Sequence, residues 1–240
     1  GAVAAGPEGS VDLQLTVTPG ANLGPYGNSA TGSATSAGGA ALSDVSTAGT
    51  TPDPNGNGNP GDDSTPTSLS FGEAPELGVA KALVSGPTNN GNGTYTLAYR
   101  IREENSGDVP VHGVQLTDNL ASTFAGASFV VNTLSGTGLT RNALYNGTTN
   151  TNLLAGTDVL ATGASGSVDL ALTVTPGSNL GPYGNTATGS ATSAAGAALN
   201  DVSANGSATD ANGNGNPGED STPTRGSFGE TPEFGVAQAL

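Results

Sequence analysis

The sequence contains no cysteine, methionine or tryptophan, and only one lysine and one histidine. Without cysteine, neither a disulfide framework nor a thiolate zinc site can be built, and any redox compartment is compatible. The sole histidine, His112, excludes a multi-histidine metal centre and leaves little for a His-based triad; it is expected on a strand surface. Glu103 and Glu104 are adjacent, so on a strand they point apart and offer no glycosidase geometry. The chain is therefore read as not an enzyme. No apolar run of about 18 residues, signal peptide or lipidation motif is present, and no membrane insertion is expected in this window. The lack of methionine puts the translation start elsewhere.

Positive charge is also scarce. Five Lys and Arg residues oppose twenty Asp and Glu residues, for a formal charge of −15. Nucleic acid and anionic membranes recruit Lys and Arg to phosphate, so both are excluded as partners, whereas divalent cations are attracted. Few charges and many Thr, Ser, Asn and Gly residues suit an extracellular, cell-surface protein. With 39 Gly and 15 Pro the composition approaches low complexity. The apolar residues nonetheless alternate over several runs, a pattern that disorder does not require.

What the chain does contain is a second copy of part of itself. Residues 9–83 align without a gap with residues 166–240 at an offset of 157, and 58 of the 75 aligned positions are identical. Self-similarity at a fixed period is the signature of an array of stacked units. One period and about half of another are present.

Helix signals are nearly absent, while strand signals are clear. Val11, Leu13, Leu15 and Val17 alternate with polar residues, and Val168, Leu170, Leu172 and Val174 repeat them; Tyr95, Leu97, Tyr99 and Ile101 form a third alternating set. Period-two alternation predicts half-buried strands. Further strands are expected over 78–84, 109–117, 127–132, 158–161 and 186–192, divided by Asn-Gly and Gly-Pro turns. The expected fold is all-β, an antiparallel β-sandwich. Unit boundaries are placed in the Asn/Gly/Pro/Asp tract. Residues 1–70 then form the C-terminal part of a preceding repeat, 71–227 a complete repeat, and 228–240 the first strand of the next.

Leu77-Gly-Val-Ala-Lys-Ala-Leu, Gly93-Thr-Tyr-Thr-Leu-Ala-Tyr-Arg-Ile-Arg, Asn105-Ser-Gly-Asp and Val114-Gln-Leu-Thr-Asp-Asn-Leu together resemble a known pattern. It is that of the conserved repeat domain of unknown function found in bacterial and archaeal surface and fibre proteins. The resemblance covers about residues 77–225 and implies a tandem immunoglobulin-like β-sandwich. The chain departs from the pattern in a longer insertion around 132–157 and in Arg102-Glu103-Glu104, where the family carries Thr-Val-Thr.

Asp53, Asn55, Asn57, Asn59, Asp62 and Asp63 recur as Asp210, Asn212, Asn214, Asn216, Glu219 and Asp220. Oxygen side chains at every second position, with glycine at the sixth, match the first half of a calcium loop. Calcium takes about six to eight oxygen ligands, and each tract offers about that many. The bidentate Glu expected at the twelfth position is replaced by Ser64 and Ser221; the acids two and one residues earlier can substitute. A plain Asn/Gly linker is the alternative. Against it, Pro52 and Pro54 change between the copies to Thr209 and Ala211 while every ligand position keeps an oxygen donor. Calcium is the expected ion.

Lys81 lies on the first strand and Asp118 on a later one, positions from which surface β-sandwiches sometimes form a Lys–Asn or Lys–Asp isopeptide crosslink. Gln238 occupies the position of Lys81 in the other copy. A crosslink would not be general to the array, and none is expected. Three Asn-x-Ser/Thr acceptors, at Asn92, Asn146 and Asn205, are what chance supplies in such a composition, though glycans remain possible partners. The leading expectation is a structural segment of an extracellular fibre, sheath or stalk. Its partners would be identical repeats or protomers, head to tail, with calcium stiffening the junctions. The alternative is an adhesin-type module recognising glycan or a surface protein, although the ten aromatic residues are dispersed rather than clustered for sugar stacking.

Overall fold

The computed structural model describes residues 9–238, so the outermost parts of the expected first and last segments, 1–8 and 239–240, lie outside the described residues. The chain is nearly all β and divides into two compact units, one running to Gly72 and one from Glu73 onward.

The first unit holds β1 (Tyr26–Asn28), β2 (Thr31–Thr35), β3 (Ala41–Val45) and β4 (Thr67–Leu69). β1 pairs with β4 and β2 with β3, both antiparallel. The expected strand over 11–18 does not form. Alternation prepares a segment for a sheet, but the ladder bonds must come from other strands. Among its described residues, this unit has no counterpart of the central strands of the second.

The second unit contains β5 (Leu77–Asn89), β6 (Tyr95–Asn105), β7 (Val111–Thr117), the one-turn helix α1 (Leu120–Thr123), β8 (Ser128–Thr137), β9 (Asp158–Leu160), β10 (Ser165–Thr175), β11 (Tyr183–Asn185), β12 (Thr188–Ser193), β13 (Ala198–Val202), β14 (Ala204–Asn205) and β15 (Thr224–Gly226). A five-stranded sheet runs β14-β5-β6-β10-β8, a four-stranded one β13-β12-β7-β9, and β11 pairs with β15. Pairing is antiparallel except between β14 and β5, which run parallel over two residues. This departs from the purely antiparallel expectation. α1, absent from the sequence reading, is started by Asn119, whose side-chain oxygen accepts from the Ser122 backbone N–H at 3.0 Å.

One core joins the sheets. Val168, Leu170, Leu172 and Val174 of β10 lie opposite Ile101, Tyr99, Leu97 and Tyr95 of β6, and all eight side chains are buried. Full burial of each such aliphatic side chain contributes about 1.5–3 kcal/mol. Val111, Val114 and Leu116 of β7 supply part of the opposite wall, and Phe228, beyond β15, packs on Tyr95, Phe124 and Tyr183. Residues 229–238 form no strand, and Phe234 and Val236 are exposed. Among the described residues, no helix is long and apolar enough to cross a membrane.

Candidate functional site

The two Asn/Asp tracts fold as the same curled loop. In the first, the Asp53 carboxylate accepts from the backbone N–H groups of Gly56 (2.8 Å), Asn57 (3.2 Å) and Gly58 (2.8 Å). Asp210 does the same for Gly213, Asn214 and Gly215. Gly56 and Gly58 adopt φ of 70° and 82°, and Gly213 and Gly215 follow at 73° and 85°, a region costly for residues with a Cβ. Asn55 and Asn57 make Asx turns, accepting from the N–H two residues ahead. Their carboxamide nitrogens face the acids: Asn55 reaches Asp62 at 3.3 Å and Asp63 at 3.0 Å, and Asn57 reaches Asp62 at 2.9 Å. In the second loop Asn212, Asn214 and Asn216 all donate to Glu219, and Asn212 donates to Asp220.

Each loop thus joins its Asn side chains to its later acids through the amide nitrogens, Asn59 excepted, while Asp53 and Asp210 accept only from backbone N–H groups. Among the described residues, no three carboxylate or imidazole side chains converge enough to hold a metal ion by themselves. A cation would need amide or backbone oxygens as well. One observation fits such an ion: the Oδ2 atom of Asp63 is buried without a hydrogen-bond partner. An unpaired buried acceptor costs about 1–3 kcal/mol, which a cation would offset.

A second cluster lies inside the second unit. Lys81, Asp118 and Asn185 are all buried, at 0%, 1% and 0% exposure. β5 carries Lys81 on its inward face, Asp118 follows the last residue of β7, and Asn185 ends β11. Lys81 Nζ donates to Asp118 Oδ2, and Asn185 Nδ2 donates to the same oxygen at 3.3 Å. Thr123 Oγ1 donates to Asn185 Oδ1 at 2.9 Å. Lys81 Nζ also lies 4.8 Å from the centre of the Tyr99 ring. Burial pulls the Lys81 ammonium below its ordinary value, against the opposing pull of Asp118. Asp118 Oδ1 is buried and has no partner. The sequence places Lys81 and Asp118 on separate strands but carries no sign of their contact. Asn185 was hidden in the Tyr-Gly-Asn segment, which reads as turn chemistry; the alternation that points Lys81 inward was the available signal.

Glu103 is another buried acid. Both carboxyl oxygens lack partners, and burial, followed by the nearby charges of Asp201 and Asp158, pushes its pKa up to about 9. Burial likewise raises Asp201 to about 6, although the Val79 backbone N–H donates to it at 2.5 Å. Glu103 was legible as the next inward position after Tyr99 and Ile101. Glu104 faces the other side, where it accepts from Thr209 and pairs with Arg102, so the two adjacent acids do point apart. His112 is exposed on β7. No family model, curated protein or solved structure matches the chain.

Proposed function

We propose that this chain is a structural segment of an extracellular fibre, sheath or stalk, built from tandem immunoglobulin-like β-sandwich repeats. The observation that carries this reading is the fate of the repeated strand. Val11, Leu13, Leu15 and Val17 are exposed, while their copies line the core of the second unit. An apolar face of this kind is covered when the missing strands arrive from more chain or from another protomer. Either route propagates head to tail and produces an open linear assembly. Surface charge of one sign keeps such repeats apart laterally unless a divalent ion intervenes. Calcium at the Asn/Asp loops then stiffens the junction between successive units, with Asp53, Asp62 and Asp63 supplying charge in one loop and Asp210, Glu219 and Asp220 in the other.

Thermal melts of the full chain in millimolar calcium, magnesium and chelator test this. Calcium at about 100 times its dissociation constant is expected to add about 2.7 kcal/mol. A rise in Tm with calcium and not magnesium supports the ion-stiffened junction; superimposable melts would remove calcium from the reading. Saturable binding to a glycan panel would instead favour the adhesin.

A further inference from the structure

The buried Lys81, Asp118 and Asn185 cluster does nothing in the fibre reading and is costly as an ordinary ion pair. Moving an ammonium and a carboxylate out of water exceeds what one contact returns unless the remaining polar atoms are satisfied. Here Asp118 Oδ1 is not. The third member is a carboxamide whose carbon is an electrophile, held against the same carboxylate oxygen as the amine.

We propose that Lys81 and Asn185 condense to an intramolecular amide, with Asp118 as the proton shuttle. Lys81 Nζ, as the free amine, attacks Cγ of Asn185. The Nζ–Cγ bond forms, the Cγ–Nδ2 bond breaks, and the proton lost from Nζ passes through the Asp118 carboxyl to the departing nitrogen. Ammonia leaves and Asp118 is regenerated, so no oxidant, metal or cofactor is consumed. Burial holds the amine in its neutral, nucleophilic form more readily than water does. The Thr123 hydroxyl, already donating to Asn185 Oδ1, stabilises the negative charge that develops on that oxygen. Amine, shuttle and carboxamide are fixed by three separate elements, which removes the entropic cost of bringing them together. Asp118 is the less suitable acceptor for the amine, because its Oδ2 already accepts from both Lys81 and Asn185, the position of a relay between them.

The bond would tie β5, the first strand of the unit, to β11 near its end. It does not rest on the fibre reading and would stand in an adhesin equally. Gln238 at the Lys81 position of the other copy means only that not every unit is stapled.

Intact mass of the denatured full chain, followed by peptide fragmentation, tests the proposal. The expected mass is below the sequence mass by one ammonia, with a branched peptide joining the Lys81 and Asn185 segments. Lys81→Met and Asp118→Asn should each restore the sequence mass, whereas Asn28→Ala, at the position equivalent to Asn185, should leave the ammonia deficit in place. Succinimide at an Asn-Gly pair also loses ammonia, but that loss survives Lys81→Met and yields no branched peptide. An unmodified wild-type mass would overturn the proposal. So would a deficit of one water with a branch at Asp118, or an ammonia loss indifferent to Lys81.

Discussion

Val168, Leu170, Leu172 and Val174 are each 0% exposed, while Val11, Leu13, Leu15 and Val17 are 95%, 74%, 67% and 46% exposed. These are the same residues in the same order, within segments that differ only at Gln14 and Ala171. What separates them is what lies on either side. β10 sits between β6 and β8, and the described residues of the first unit supply no equivalent of either. Other parts of the repeat do not need that company. The β2–β3 hairpin pairs Thr31 with Val45, and β12–β13 pairs Thr188 with Val202, in the same register. Yet β2 is exposed throughout, whereas β12 buries every second residue. Local turn chemistry builds the hairpin in both places; burial depends on strands far away in the chain.

The sharpest way to break this comparison is to truncate matched leucines. Leu170→Ala is expected to cost about 4 kcal/mol by opening a core cavity. Leu13→Ala should stay within about 0.5 kcal/mol, as surface changes do. Urea midpoints of the two variants measure the difference, and equal losses would show that residues 11–17 are buried in solution.

A second test uses pH. Because Glu103 rises to about 9 in the fold from an ordinary 4.5, the folded chain holds a proton that the unfolded chain releases. Its contribution is complete below about pH 4.5 and is lost as pH climbs from there to about 9. By pH 7 that loss amounts to about 3 kcal/mol. Asp201, raised to about 6, acts with the same sign over a narrower window. Glu103→Gln should therefore raise Tm at pH 8 and change it little at pH 4. A variant whose Tm gain is the same at both values would remove Glu103 as the source.

The smallest effect concerns matched glycines. A Cβ on Gly189 would stand 2.4 Å from Val79 Cγ2 and 2.9 Å from Glu103 Oε1, whereas one on Gly32 meets only the Asp44 carbonyl oxygen at 4.0 Å. Gly189→Ala should cost about 2 kcal/mol through overpacking. Gly32→Ala should be neutral or stabilising by up to about 1 kcal/mol. Denaturant midpoints distinguish the pair.

Much of this was legible in the sequence. The alternation of Tyr95 to Ile101 and of Val168 to Val174 identified two neighbouring strands, and the Asn-Gly spacing identified a curled loop in each copy. Val11 to Val17 carried an equally good pattern and forms no strand, because period-two alternation describes a face and not its partner. The expected strand over 127–132 runs on to Thr137, where Gly136 and Thr137 pair with Val168 and Ser167. The cluster around Lys81 was only half visible. Its members lie 37 and 67 residues apart along the chain, and contact between them arises from how the sheets close. Asn185 sits in a segment whose local chemistry already explains it.

The near-identity of 9–18 and 166–175 has a consequence for how the chain reaches its native state. The slot between β6 and β8 has little on side-chain grounds by which to tell the segments apart, since the one differing position, Ala171, lies on the half-exposed face and every buried position carries the same residue in both. Nothing in the side chains proofreads the choice. Selection falls to tethering, through the effective concentration at which each segment meets the half-built sheet. Refolding at high concentration is where that selection weakens, and exchange of this strand between neighbouring units or chains is the characteristic error open to it.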